Sequence, residues 1–506
     1  MKLISLRNNR NTRLISLRNA LTAGLSAGLL LTLGVAPADA ATAPQPQDKK
    51  TYSAKPYVIS DPELVKNPDK VVAELKAKGN LDRFGVEPAT SDGPSELTGK
   101  RAQSAAQLAD PSFVTDSARF PRGTKPADIY DYATREQCMD QNYDLASRDI
   151  GWIKNRYSYC QIHLVAIPAV ECGIFPPRCQ TTGVFVSRNV LLGYGKLGSY
   201  ETNAESRWAD FRLNVGVISA TGPFSRSGAD MEATIECEGN YLDDDYPQTD
   251  ANACFGGLKE STEKSIREWQ TDGDAHLDVI SQASAPDASM GEQIGTGVFH
   301  IEYDFSLPWY WQFIDTESPE GGMRFDSAYY LPEEKKGSVF DRATPGLSYA
   351  KSQPEVAGVA QHLEDARSDP DTTMPSQPGK VLHGGTAEDP IHRLAPSKGT
   401  DEQFRYDENR RIVSNYCRTK EMQDLKATLP VGQGPYDCDE YAFASTYEGA
   451  GRFLFPDDGG GPQYERHYSV RWVNSEVNQE AGRRLGRWYM NDRILDREKF
   501  FVPIVP

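Results

Sequence analysis

Residues 434–449 read Gly434-Pro-Tyr-Asp437-Cys438-Asp439-Glu440-Tyr441-Ala-Phe-Ala-Ser-Thr-Tyr-Glu448-Gly449. Four carboxylates fall within twelve residues, beside a cysteine and several aromatic rings. Like charges repel on a surface, and a partly buried carboxylate needs a hydrogen-bond donor, a cation or a proton. A divalent metal meets that need, while a solvated acidic face is the bland alternative.

The flanking sequence sets this stretch in a small α/β module. Upstream, Arg405 to Lys420 reads as a helix or helix-loop carrying Arg405, Arg410, Arg411 and Arg418, with Cys417 in its last turn. Downstream, His467-Tyr-Ser-Val-Arg-Trp-Val alternates as a strand, and Asn474-Ser475 is an N-cap for a helix from about Glu476 to Met490. Val477, Ala481, Leu485 and Trp488 form its apolar stripe, and Asn478 sits beside that stripe. A disulfide from Cys417 to Cys438 would hold the backbone of Asp437 and Asp439 still.

The 434–449 string, the strand Ser469-Val-Arg-Trp-Val, the Asn478-x-x-x-Gly482-x-x-x-Gly486 helix and the ending Arg493-Ile-Leu-Asp-Arg-Glu-Lys-Phe-Phe-Val resemble the NucA/NucB family of secreted bacterial deoxyribonucleases, chiefly its longer actinobacterial members. The resemblance spans roughly residues 390–506. Ala442 stands where the family usually has Pro, and Val477-Asn478 where it has Asp-Asn. The resemblance implies a ββα-metal nuclease that hydrolyses DNA phosphodiesters with one divalent ion; the oxygen-rich donor set favours Mg²⁺, Mn²⁺ or Ca²⁺, with Mg²⁺ or Mn²⁺ expected first. It implies Asn478 as a metal ligand together with Asp439, and Asp439 or Glu440 in the role that a histidine base fills in related nucleases.

The residue types fit that chemistry on their own terms. A carboxylate orients or deprotonates the attacking water, and a divalent ion neutralises charge on the phosphate. Glu448 is a further catalytic candidate, holding a water or a neighbouring Arg. Arg483, Arg484 and Arg487 are candidate phosphate contacts, although arginines on a helix are often only its wet face. Asp437 has a structural alternative, fixing the turn after Pro435. His392 and His467 read first as surface or core histidines, and either has the chemistry to serve as a base.

The remainder of the chain carries less chemistry. Residues 1–19 hold Lys2, Arg7, Arg10, Arg13 and Arg18 without an acid, Ala20–Val35 is apolar, and Ala38-Asp39-Ala40 is a cleavage pattern, so 1–40 reads as a secretory signal peptide. The expected location is therefore extracellular, with no membrane association after cleavage. Residues 41–125 read as a spacer or propeptide. Residues 126–330 read as a disulfide-stapled, mainly β, antiparallel sandwich-like domain of unreadable role, in which His163 and His300 are structural. Residues 331–385 read as a linker, and 386–506 as the small α+β nuclease-like module.

Eight cysteines in an oxidising compartment imply disulfides, and local spacing suggests 138–160, 172–179, 237–254 and 417–438, although sequence does not fix connectivity. The net charge of −17 argues against general adhesion to nucleic acid or anionic membrane. From Thr386 onward, however, 17 Lys/Arg stand against 20 Asp/Glu, so local basic residues there can meet an anion. The expected partner is DNA, with an inhibitor or immunity protein as a further one. A non-catalytic extracellular surface or matrix-binding protein that keeps a nuclease-like fold is the rival expectation.

Overall fold

The computed structural model describes residues 50–89, 111–120, 132–173, 178–200, 206–242, 252–282, 292–307, 314–331, 335–397 and 399–506. All of them fall in one compact unit, Lys49–Pro506. The expected signal peptide lies outside the described residues.

The chain is mostly β, and two antiparallel sheets make up its larger part. The first is built on three long strands, Ser158–Gly173, Arg178–Gly195 and Arg207–Ala220, extended by Asp274–Ser281. The second centres on Glu292–Ser306, flanked by Asp230–Glu238 and Gly321–Ala328. Phe185, Phe211 and Leu213 of the first pack against Ile235, Phe299, Ile301 and Met323 of the second, as in a sandwich.

The first sheet is buried on its other face as well, which is why Tyr159 to Ala169 reads as an almost unbroken apolar run. Val65, Val71 and Leu75 of the helices Pro62–Lys66 and Pro68–Lys78 cover that face. The strands Thr51–Ala54 and Tyr57–Ile59 pair with Ser158–Gly173. The described part of the expected spacer is thus structural, because a sheet apolar on both sides needs a second cover. Four disulfides, Cys138–Cys160, Cys172–Cys179, Cys237–Cys254 and Cys417–Cys438, join the local pairs.

The expected linker also folds. Lys336–Val339 joins the second sheet, Thr344–Ala350 lies between Ser112–Asp116 and Ile504–Val505 in a parallel sheet, and Ala357–Ser368 is a helix. Thr344–Ala350 is buried at every residue, so it shows no alternation to mark it as a strand.

The outer face of the second sheet gathers acid. Glu263, Glu232, Asp304 and Asp315 stand directly opposite one another across four strands, and Glu302 faces Glu317 in the adjoining row. Partial burial, then Asp304, Glu236, Glu317 and Asp315, raise the Glu302 carboxyl above the usual range; partial burial, then Asp315 and Glu232, do the same for Asp304. A raised carboxyl pKa favours the folded state most when protonated, so this contribution is lost as pH rises through the raised values. Like charges directly opposite one another across strands are destabilising. Asp304→Asn is therefore expected to stabilise the chain at pH 7 and low salt, with the gain shrinking toward pH 4 or in high salt. Urea unfolding under those conditions checks it, and a gain independent of pH and salt would contradict it.

Candidate active site

The acid motif forms the strand Tyr436–Tyr441, paired antiparallel with Ser469–Asn474, which runs straight into the helix Ser475–Asn491. Asn474 caps that helix, its side chain accepting from the backbone N–H of Glu476 and Val477, as the sequence predicts. The second edge of the acid strand is unpaired among the described residues.

Strand alternation sorts the carboxylates. Asp437 and Asp439 face the Ser475–Asn491 and Ala357–Ser368 helices. Cys438 and Glu440 face Asp401–Cys417, to which Cys438 is bonded through Cys417. Asp437 accepts from Ser475 Oγ at 2.8 Å and from Gln479 Nε2 at 3.2 Å, so it ties the strand to the first turns of the helix. At the strand's other end Tyr441 joins the core that holds Leu485, Trp488 and Tyr489. Asp439, between them on the strand, meets His362 of the helix Ala357–Ser368.

Asp439 is 7% exposed, yet only part of its carboxylate is committed. Oδ2 meets His362 Nδ1 at 2.7 Å, and His362 Nε2 meets Ser469 Oγ at 2.9 Å. No hydrogen bond engages Asp439 Oδ1 or the Asn478 amide among the described residues. Gly482 and Gly486 continue the flank of the helix beyond Asn478, and a Cβ at either would meet open space.

Glu440 has a different environment. Burial, then the Asp439 charge, push its carboxyl up to about 7, against the pull of Arg410 and the Ala444 N–H. The loop that follows is clamped by Asn409, whose Nδ2 donates to the Ala444 and Thr446 carbonyls and whose Oδ1 accepts from Gly451 N. A side chain at Gly449 would strike Asn409 at 2.3 Å, so this position needs glycine for space.

The structure gives several of these candidate residues internal partners. Glu448 is held by His392 rather than by an arginine: it accepts from the His392 backbone N–H at 2.9 Å and meets its Nδ1 at 2.8 Å. Arg484 is buried and bound to Glu480 and Gln353, while Arg483 pairs with Glu480 and donates to the Phe120 carbonyl. Neither guanidinium is free for phosphate, because the supposed wet face of the helix is covered by chain from far upstream. Arg487 also has an internal partner. His362 was missed, since nothing in the Ala357–Ser368 segment ties it to an acid 77 positions later. The one available signal was a histidine within the stripe of Val359, Leu363 and Ala366.

No group of three or more His, Cys, Asp or Glu side chains gathers into a metal cage among the described residues. A small divalent ion does not require one, because it typically keeps several waters and takes one or two carboxylates plus substrate phosphate. Asp439 Oδ1 and the Asn478 carbonyl are hard oxygen donors of that kind. Residues 392–503 match the family model described as deoxyribonuclease NucA/NucB, so the C-terminal region is a NucA/NucB domain. A search of curated proteins finds no match to the chain.

Proposed function

With a NucA/NucB domain at its C-terminus, we propose that this chain is an exported, metal-dependent endonuclease that hydrolyses DNA phosphodiester bonds at the free edge of the acid strand. The observation that carries the proposal is the carboxylate oxygen Asp439 Oδ1, left without a hydrogen-bond partner on the acid strand, with the unengaged Asn478 amide on the helix that follows the paired strand inside the matched region. Those two residues would hold Mg²⁺ or Mn²⁺, which when bound supplies charge neutralisation at the phosphate. Glu440, on the other flank of the same free edge and titrating near neutrality, takes the proton of the attacking water. Arg410, exposed beside Glu440, meets a phosphate oxygen.

Export is supported by four disulfides, which persist in oxidising compartments. No helix among the described residues is long and apolar enough to cross a membrane. The two β-sheets serve to buttress or direct the nuclease region.

The test is plasmid and linear DNA cutting by the chain from Ala41 onward. Cutting is expected with Mg²⁺ or Mn²⁺ and is expected to stop in EDTA. Intact DNA under all conditions would overturn the proposal in favour of a binding protein with a nuclease-like fold.

A further inference from the structure

The helix Ala357–Ser368 lies outside the region matched to the nuclease family, yet it delivers a fully buried imidazole to the acid strand. We infer that His362 is a positioning residue for Asp439, so that the catalytic centre is completed by a segment upstream of the nuclease domain. The inference rests on the proposed role of Asp439 and deepens it.

The chemistry follows from the donors. With Nδ1–H donated to Asp439 Oδ2, Nε2 is left to meet the Ser469 hydroxyl. One carboxylate oxygen is thereby fixed and the other is left pointing away from the ring. A carboxylate held in this way loses less rotational freedom when Oδ1 takes a ligand. The strand pair adds a second tie on the same face. Arg471, directly opposite Asp439, reaches Asp365 at 2.7 Å, one helical turn from His362. The helix is thus bonded to both strands at the level of Asp439.

The order Ser469–His362–Asp439 has the connectivity of a hydrolase triad, but Ser469 is fully buried and no acyl group can reach its hydroxyl. Positioning is the use that this geometry permits.

Two amide substitutions separate positioning from mere packing. In His362→Asn the amide stands near Nδ1 and keeps a donor for Asp439; in His362→Gln it stands near Nε2, keeping Ser469 and losing Asp439. Lost outer contacts of this kind typically cost about 10–100-fold in activity or metal affinity. His362→Gln is expected to lower kcat, and Mn²⁺ affinity read by the free-ion EPR signal without DNA, by that factor with KM for DNA unchanged. His362→Asn is expected to stay within a few-fold of the parent.

Equal losses in the two variants, through misfolding or otherwise, would overturn the inference, as would parent values in both. Asp439→Asn measured in parallel separates the premises. If it is inactive while His362→Gln is unaffected, only the positioning role falls; if it cuts like the parent, the site assignment falls and the inference with it.

Discussion

Asp439→Asn is expected to lower metal-stimulated DNA cutting by about 10²–10⁴-fold while leaving the fold intact. The substitution is close to isosteric, so the packing around the buried side chain is kept. Its carbonyl can still accept from His362 Nδ1, so the relay to Ser469 survives. What disappears is the negative charge, and with it the affinity of the free oxygen for a divalent cation. Because a nearly buried carboxylate with a single hydrogen-bond partner is costly to maintain, its removal is not expected to reduce stability. Supercoiled-plasmid kinetics in Mg²⁺, read beside a thermal melt, make the comparison. Parent-like cutting by a folded Asp439→Asn protein would move the centre elsewhere, with the His392–Glu448 pair the next place to look.

The contrast between Asp439 and Glu440 explains how much of this site was legible. Local chemistry was visible: the acid run, the Asn474 cap, the stripe ending in Trp488 and the short-range cysteine pairs all obey spacing rules within about twenty residues. Strand alternation already places two neighbouring acids on opposite faces. Sequence cannot say which face is closed by what. His362 reaches Asp439 from 77 residues upstream, and Phe120 and Gln353 reach the arginines of the C-terminal helix from farther still. The spacer and linker expectations missed for a related reason. Thr344–Ala350, buried on both sides, has no polar phase to betray it, and the short elements of residues 50–89 gain their stability from the sheet they cover.

That dependence leads to the other large expected effect. Residues 386–506, expressed alone, are expected to show no cooperative unfolding transition and no DNA cutting. Their core is shared: Phe120, Leu347, Tyr349, Val356, Val359 and Leu363 pack with Tyr441, Leu485, Trp488 and Phe500. Burying such a side chain is worth about 1.5–3 kcal/mol. Losing six of them removes about as much as the ~5–15 kcal/mol that holds a typical domain folded.

Charge makes the cut worse. Arg493 Nε donates to Asp326 at 2.7 Å, Glu498 pairs with both Arg156 and Arg324, and Tyr157 donates to the Asn491 carbonyl. Burial alone would raise the Asp326 carboxyl, but Arg493 and Arg324 hold it below the usual range. Truncation leaves Arg493 and Glu498 without these partners, so nothing fixes the chain beyond the C-terminal helix as the whole protein does. Circular dichroism melts of the fragment beside the chain from Ala41 onward decide the matter. A cooperative melt with full activity in the fragment would show that the family-matched region folds and cuts by itself. The upstream sheets and the His362 helix would then be additions to a finished enzyme rather than parts of it.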